Sequence, residues 1–248
     1  MSEQAHISVS GRIATLTLDR PEARNALSED LLCSLNTRLD ELGAADPTVL
    51  IVTGAGKGFC AGMDLKLVLN DPEAPRRLLT SLARFLLRLR QLPMVVLASV
   101  NGAAIGGGCG LAVACDLAIT HADAKMGFPE VDLGVCPAVV APWVVRKVGA
   151  GKARRILLSG GLMTGQQAAD LGLVDFAVAS REELDPTIRE VAARLATGGP
   201  QAIRATKHLL NQLDGSLDES IALESAELSA RVLATDEARA MLAARLRA

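Results

Sequence analysis

Two glycine-rich turns and one glutamate are the parts of this 248-residue chain whose residue types and spacing could do chemistry. The first turn is GFCAGMDLK, Gly58 to Lys66; the second is IGGGCGL, Ile105 to Leu111. Each follows a run that reads as a buried strand. A turn of small residues that opens into a helix leaves backbone N–H groups pointing outward, with the positive end of the helix dipole behind them. Two such groups converging on one point would stabilise an oxyanion, each worth about 2.7–4 kcal/mol in a transition state. Glu130, in GFPEVDLG, has Phe128, Pro129, Val131 and Leu133 for neighbours. An apolar pocket raises a carboxyl pKa toward neutrality, where the group exchanges protons readily. Taken singly, each feature has a plainer reading. Glycines also mark tight packing, and glutamates such as Glu130, or the aspartate Asp132 two residues on, usually sit in solvated loops.

These residues need elements to position them. Period-two alternation predicts strands over His6–Val9 and around Ala14, Leu16 and Leu18, ended by Pro21. Ser28 is a predicted N-cap for a helix with Leu31, Leu35, Leu39 and Leu42 on one side. The apolar run Thr48–Thr53 is a buried strand. Pro75 precedes a helix whose leucines face inward and whose other positions hold Arg76, Arg77, Arg84, Arg88 and Arg90. Met94–Val100 is a strand that leads into the second turn and a small-residue helix, and a short strand follows at Asp116–Thr120. From about Thr187 the chain reads as helical, with breaks at Gly198, Gly199 and Gly215 and with Pro200 at a first helical position. The organisation is one αβ core, residues 1–190, carrying the site, and a helical region, 191–248.

Composition removes several classes. The net charge of -2 and the 2% of aromatic residues, with Trp143 as the single tryptophan, argue against a nucleic-acid partner. Five cysteines, Cys33, Cys60, Cys109, Cys115 and Cys136, show no C-x-x-C spacing; they read as buried thiols in a reducing compartment and give no metal site. The N-terminal segment has no signal-peptide pattern and no apolar run reaches membrane-spanning length, so a cytoplasmic protein without a membrane partner is expected.

The segments LDRPEARNAL, GFCAGMDLK, VNGAAIGGGCGLAVACDLAI, AKMGFPEVDLG and ADLGLV occur in the order and approximate spacing of the crotonase (enoyl-CoA hydratase/isomerase) superfamily, and the chain resembles it over nearly its whole length. The resemblance implies an α/β fold, a ββα spiral core with a C-terminal helical region used for trimerisation, giving a homotrimer or hexamer. It implies an acyl-CoA thioester substrate and stabilisation of a thioester enolate. Coenzyme A enters as part of the substrate, and no cofactor is bound permanently. By position the oxyanion donors would be the N–H groups of Met63 and Gly107, and Glu130 the shared acid/base. Arg24 and the Ala61–Gly62 stretch would contact coenzyme A, although Arg24 reads equally well as a solvated charge. Ile221, Leu223, Leu228, Val232 and Leu233 offer apolar area for assembly.

The chain departs from the family pattern at Gly110, where well-studied hydratases carry a second glutamate. A positioned acid or base is worth about 10²–10⁴ in rate. Three readings stay open. Glu130 alone could move a proton between C2 and C4, a Δ3,Δ2-enoyl-CoA isomerase. The substrate's own carboxylate or another residue could help activate water, as in the branches hydrating branched or carboxylated, methylglutaconyl-type enoyl-CoAs, which GVCPAVVAPWVV (Gly134–Val145) resembles. The reaction could also be a different one. Ala138, where dehalogenases and dienoyl isomerases of the family place an aspartate, argues against those activities. Hydration of a 2-enoyl-CoA is the leading expectation and isomerisation the next.

Two readings from other classes compete. VTGAGKGF has glycines after a strand, but Phe59 stands where a dinucleotide fingerprint needs glycine, and no phosphate-loop Lys-Ser/Thr follows. A non-catalytic acyl-CoA-binding protein on the same fold fits Gly110, while Glu130 and the two turns argue against it.

Overall fold

The computed structural model describes residues 3–44, 46–64, 71 and 73–247. Leu65 and Lys66, the end of the first turn, lie outside them. The early alternation builds a hairpin of β1 (Ala5–Ser10) and β2 (Ile13–Leu18), paired antiparallel with Ala5 opposite Leu18. Helix α1 (Glu29–Asp40) then starts at Ser28, whose Oγ accepts from the Leu31 N–H at 3.1 Å, as the sequence predicts. It returns the chain to β3 (Val49–Gly54), parallel to β2. Helix α2 (Ala74–Gln91) leads to β4 (Val95–Val100), again parallel.

From β4 onward, the chain supplies strands to two sheets. After β4 come β5 (Ala104–Ile105) and α3 (Gly107–Ala114); after β6 (Leu117–His121) comes β7 (Lys125–Gly127). Then α4 (Ala141–Ser159), β8 (Leu162–Thr164), α5 (Gly165–Leu171) and β9 (Phe176–Val178) follow. The large sheet runs β1-β2-β3-β4-β6-β9 and the small one β5-β7-β8. Single bridges continue the small layer: Cys60 pairs with Ala104, and Leu27 with Met63. This repeated strand-strand-helix winding is the ββα spiral. The short strands β5, β7, β8 and β9 escape the sequence reading because two or three residues show no periodicity.

Val49 to Val52 of β3 are all apolar because both faces of the strand are covered. Leu50 and Val52 point into the main core with α1 and α2, whereas Val49 and Ile51 join Leu97 and Ile119 beneath Leu184, Ile188 and Ala192 of α6 (Arg181–Ala196). Helix α6 starts six residues before the expected Thr187, since Pro186 lies inside it instead of breaking it, and it spans positions 190 and 191. Helix α7 (Pro200–Leu213) begins at the predicted proline. Helices α8 (Glu219–Leu233) and α9 (Asp236–Arg247) then return to the core. Ala222, Ala226, Ala230 and Leu233 of α8 are buried, and Arg76 of α2 pairs with Glu227 at 2.6 Å. Leu233 therefore belongs to the core, and Ile221 and Leu228 remain exposed.

Among the described residues no helix is long and apolar enough to cross a membrane, and no cluster of three metal-ligating side chains occurs. Cys60, Cys109 and Cys115 are buried, and burial pushes their thiols up. Cys33 is exposed and Cys136 half-buried, against the expectation of five buried thiols.

Candidate active site

The two turns are joined backbone to backbone. Ala103 C=O accepts from Phe59 and Cys60 N–H at 3.1 and 3.0 Å, and Ile105 N–H donates to Cys60 C=O at 3.0 Å. Met63 and Gly107 each lie three residues beyond the paired Cys60 and Ala104. The strip from Arg24 to Leu27 holds the other edge of the first turn. Ala61 N–H donates to Arg24 C=O, Leu27 N–H to Gly62 C=O, and Asp64 N–H to Leu27 C=O, at 3.0, 2.7 and 3.0 Å. Because Gly62 and Asp64 face Leu27, strand alternation turns the Met63 N–H the other way. That is the edge on which Cys60 pairs with Ala104, just before the second turn, and a Cβ added at Gly62 would lie 3.8 Å from Gly107 N.

Gly107 is the first residue of α3, so its N–H is one of the donors a helix start leaves without an internal acceptor. Among the described residues neither the Met63 nor the Gly107 N–H donates a hydrogen bond. Arg20 braces the first turn, donating to Ala26 C=O at 2.7 Å and to Asp64 at 3.3 Å.

Glu130 follows β7 and precedes a single 3-10 turn, Val131–Leu133. Its backbone C=O accepts from Leu133 and Val135 N–H, at 3.0 and 2.8 Å. The carboxyl group lies against Gly106, where a Cβ would come within 2.9 Å of Oε1. Oε2 is buried and has no hydrogen-bond partner among the described residues. Burial lifts this carboxyl to about 7 from an ordinary 4.5. Asp132 faces elsewhere, accepting from Gly161 N–H at 2.7 Å.

Met63, Gly107 and Glu130 share one cavity of about 100 Å³, together with Ala61 and Gly62. Its remaining wall is mainly apolar, including Leu82, Leu133, Val139 and Val140. Arg24 is exposed and does not line the cavity; its C=O accepts from Ala61 N–H at the cavity's edge. Two wall residues, Ser229 of α8 and Leu242 of α9, come from the C-terminal helices. Ser229 donates to Cys136 C=O at 2.8 Å and accepts from Ala138 N–H at 3.1 Å, fixing the wall opposite the turns. Sequence reasoning missed both residues, because nothing in a regular amphipathic helix marks which buried position reaches a distant pocket.

Gly110 packs under Val140. A Cβ there would stand 2.2 Å from Val140 Cγ1, so the position that would present a second carboxylate is filled by a neighbour.

Comparison with known proteins identifies the family to which this fold and cavity belong. Residues 8–243 match the Enoyl-CoA hydratase/isomerase family model, and the chain belongs to that family. It is similar to the crotonyl-CoA hydratase of Syntrophomonas wolfei, 34% identical over 86% of this chain and 84% of that one. It is also similar to the 2,3-dehydroadipyl-CoA hydratase of Escherichia coli, 34% identical over 92% and 88%. The crystal structure of an enoyl-CoA hydratase/isomerase from Xanthobacter autotrophicus superposes with a TM-score of 0.87 at 29% identity, covering 100% of this chain and 94% of that one. The protein is an enzyme with an enoyl-CoA hydratase-like function.

Proposed function

We propose that this enzyme hydrates a branched 2-enoyl-CoA, with Glu130 as its one acid/base and the Met63 and Gly107 N–H groups holding the thioester oxygen. The observation that carries this reading is the unpartnered Glu130 oxygen, buried in an apolar cavity beside two N–H groups without acceptors among the described residues. As charge develops on the thioester oxygen during addition to C3, preorganised donors stabilise it without reorganising. A carboxylate near neutrality can take a proton from water and return it to C2. In this reading Arg24, Ala61 and Gly62 contact the coenzyme A portion, with the exposed guanidinium available to a phosphate. Val139, Val140 and Leu133 give the cavity an aliphatic wall, which suits an apolar, branched part of the acyl group. No resident cofactor takes part in this scheme. Trimers, or hexamers built from them, are the proposed assembly.

Isomerisation from Δ3 to Δ2 is the second reading, favoured by the closed position at Gly110, because moving a proton from C2 to C4 needs only one carboxylate. A screen of enoyl-CoA thioesters separates the two. Hydration adds the mass of water and abolishes conjugated-thioester absorbance; isomerisation leaves mass unchanged and creates that absorbance. Turnover of no enoyl-CoA by either test would overturn both readings.

A further inference from the structure

The segment from Gly54 to Gly58, between β3 and the first turn, has four of its carbonyls bound by two asparagine side chains. Asn25 Nδ2 donates to Ala55 C=O at 3.0 Å and to Gly58 C=O at 2.9 Å, while its Oδ1 accepts from Arg20 N–H at 2.8 Å. Asn101 Nδ2 donates to Gly54 C=O at 2.8 Å and to Gly56 C=O at 3.2 Å, and its Oδ1 accepts from Gly54 N–H at 3.2 Å. Asn25 is fully buried and holds a left-handed φ of +55°, so its backbone conformation is fixed along with its side chain. There is no room for slack around this segment. A Cβ at Gly54 would meet Gly58 and Phe59 carbonyls at 2.4 Å and Asn25 Nδ2 at 2.7 Å, and one at Gly102 would meet Lys57 C=O at 2.0 Å.

The placement of the two asparagines in the chain gives this clamp its meaning. Asn25 lies in the Arg24–Leu27 strip, whose Leu27 pairs with Met63, and Asn101 directly follows β4, just before the turn that leads to Gly107. One short segment therefore receives both arms, one from each donor. We infer that Asn25 and Asn101 are positioning residues that jointly set the separation of the Met63 and Gly107 N–H groups through the 54–58 segment. The inference rests on reading those two N–H groups as the oxyanion donors. Neither asparagine lines the cavity, so each acts through the backbone it holds. Losing either one lets a donor drift, and drift of about 1 Å can cost about 10²-fold in rate.

The test uses Asn25→Gly, which tolerates the left-handed backbone, and Asn101→Ser, each with kcat and KM measured per folded molecule. The expected result is a fall in kcat of about 10- to 100-fold, with KM within about twofold because ground-state contacts are spread over the whole thioester. In the double variant the loss should be smaller than the product of the single losses, since both residues act on one segment. Acetoacetyl-CoA supplies a spectroscopic readout: bound to the parent enzyme it should form its absorbing enolate at lower pH than in solution, and both variants should lose that displacement. Leu42→Ala, in the core near α1, serves as a control that lowers Tm while leaving kcat per folded molecule intact. Asparagine variants that behave like this control, or that keep the parent's enolate signal, would overturn the inference and leave the donor assignment standing. If the parent enzyme itself produces no enolate displacement, the Met63–Gly107 reading fails, and the inference with it.

Discussion

Val140 Cγ1 occupies the space in which a side chain on residue 110 would begin, 2.2 Å from an ideal Cβ at Gly110. A glycine inside a helix ordinarily costs about 0.5–1 kcal/mol relative to alanine. Gly110→Ala should nevertheless lower stability, by about 1–3 kcal/mol, the usual range for overpacking. Gly110→Glu should do the same without gaining hydration of crotonyl-CoA. Combining Gly110→Glu with Val140→Gly should recover much of the stability and raise that hydration above the single variant. Thermal melts and a crotonyl-CoA assay on the four proteins check the series.

Glu130→Gln keeps the side chain's shape and removes its exchangeable charge. Turnover should fall at least about 10²-fold with acyl-CoA affinity nearly unchanged. In the parent enzyme, kcat/KM should fall as pH drops below about 7, because the carboxylate is the form that takes the first proton. Near-normal turnover by the glutamine variant would remove Glu130 from the mechanism.

The same carboxyl group sets a stability difference. Its folded-state value, about 7, is above the ordinary 4.5, so the folded protein holds this proton more tightly than the unfolded chain. The stability that proton confers is fully present below 4.5 and is lost as pH rises through about 7. Glutamine is neutral throughout, so Glu130→Gln should gain Tm relative to the parent as pH rises across this window. Parallel Tm curves would contradict it.

Arg20 and Asp64 are each about 15% exposed at the side chain (15% and 16%), and Arg20 also holds Ala26 C=O. Arg20→Lys cannot span both acceptors from one planar fork. It should leave one of them unsatisfied, at a cost of about 1–3 kcal/mol in stability, and should reduce kcat by loosening the residue after Met63. Denaturant melts with steady-state kinetics would show it; unchanged kcat would separate this pair from the site.

Val145, Leu158, Ile221 and Leu228 are 42%, 71%, 41% and 41% exposed along one apolar groove. If assembly buries that groove, Leu158→Glu should shift the protein toward monomers in light scattering at micromolar concentration. Val135, Cys136 and Pro137 form part of both the groove and the cavity that holds Glu130, so the monomer should also show a raised KM.

The chemistry was more legible in the sequence than its enclosure. Two glycine turns and Glu130 could be read because each is a local pattern of a few residues, and their order carried the family resemblance. The donor directions needed the Leu27–Met63 bridge, a contact between segments that no periodicity links. Val140 read as one more apolar residue in GVCPAVVAPWVV until Gly110 was seen beneath it. Ser229 was hidden for a related reason: its hydroxyl serves Ala138, 91 residues earlier in the chain. Helix α6 starts six residues before the expected Thr187 and carries Pro186 as its sixth residue, so its first turns lie on the N-terminal side of a residue that usually interrupts a helix.

Ser229 and Leu242 are also the last of the cavity's residues to be synthesised, every other wall residue lying at or before Val140. A nascent chain folds from its N-terminal side as it emerges. The sheets and both turns can therefore form, and bring Met63, Gly107 and Glu130 together, while one wall of the pocket is still inside the ribosome. Such a chain would present its carboxylate to bulk water, which removes the desolvation that lifts Glu130 toward neutrality. The apolar enclosure of the pocket is thus completed later than the fold of the core that carries Met63, Gly107 and Glu130.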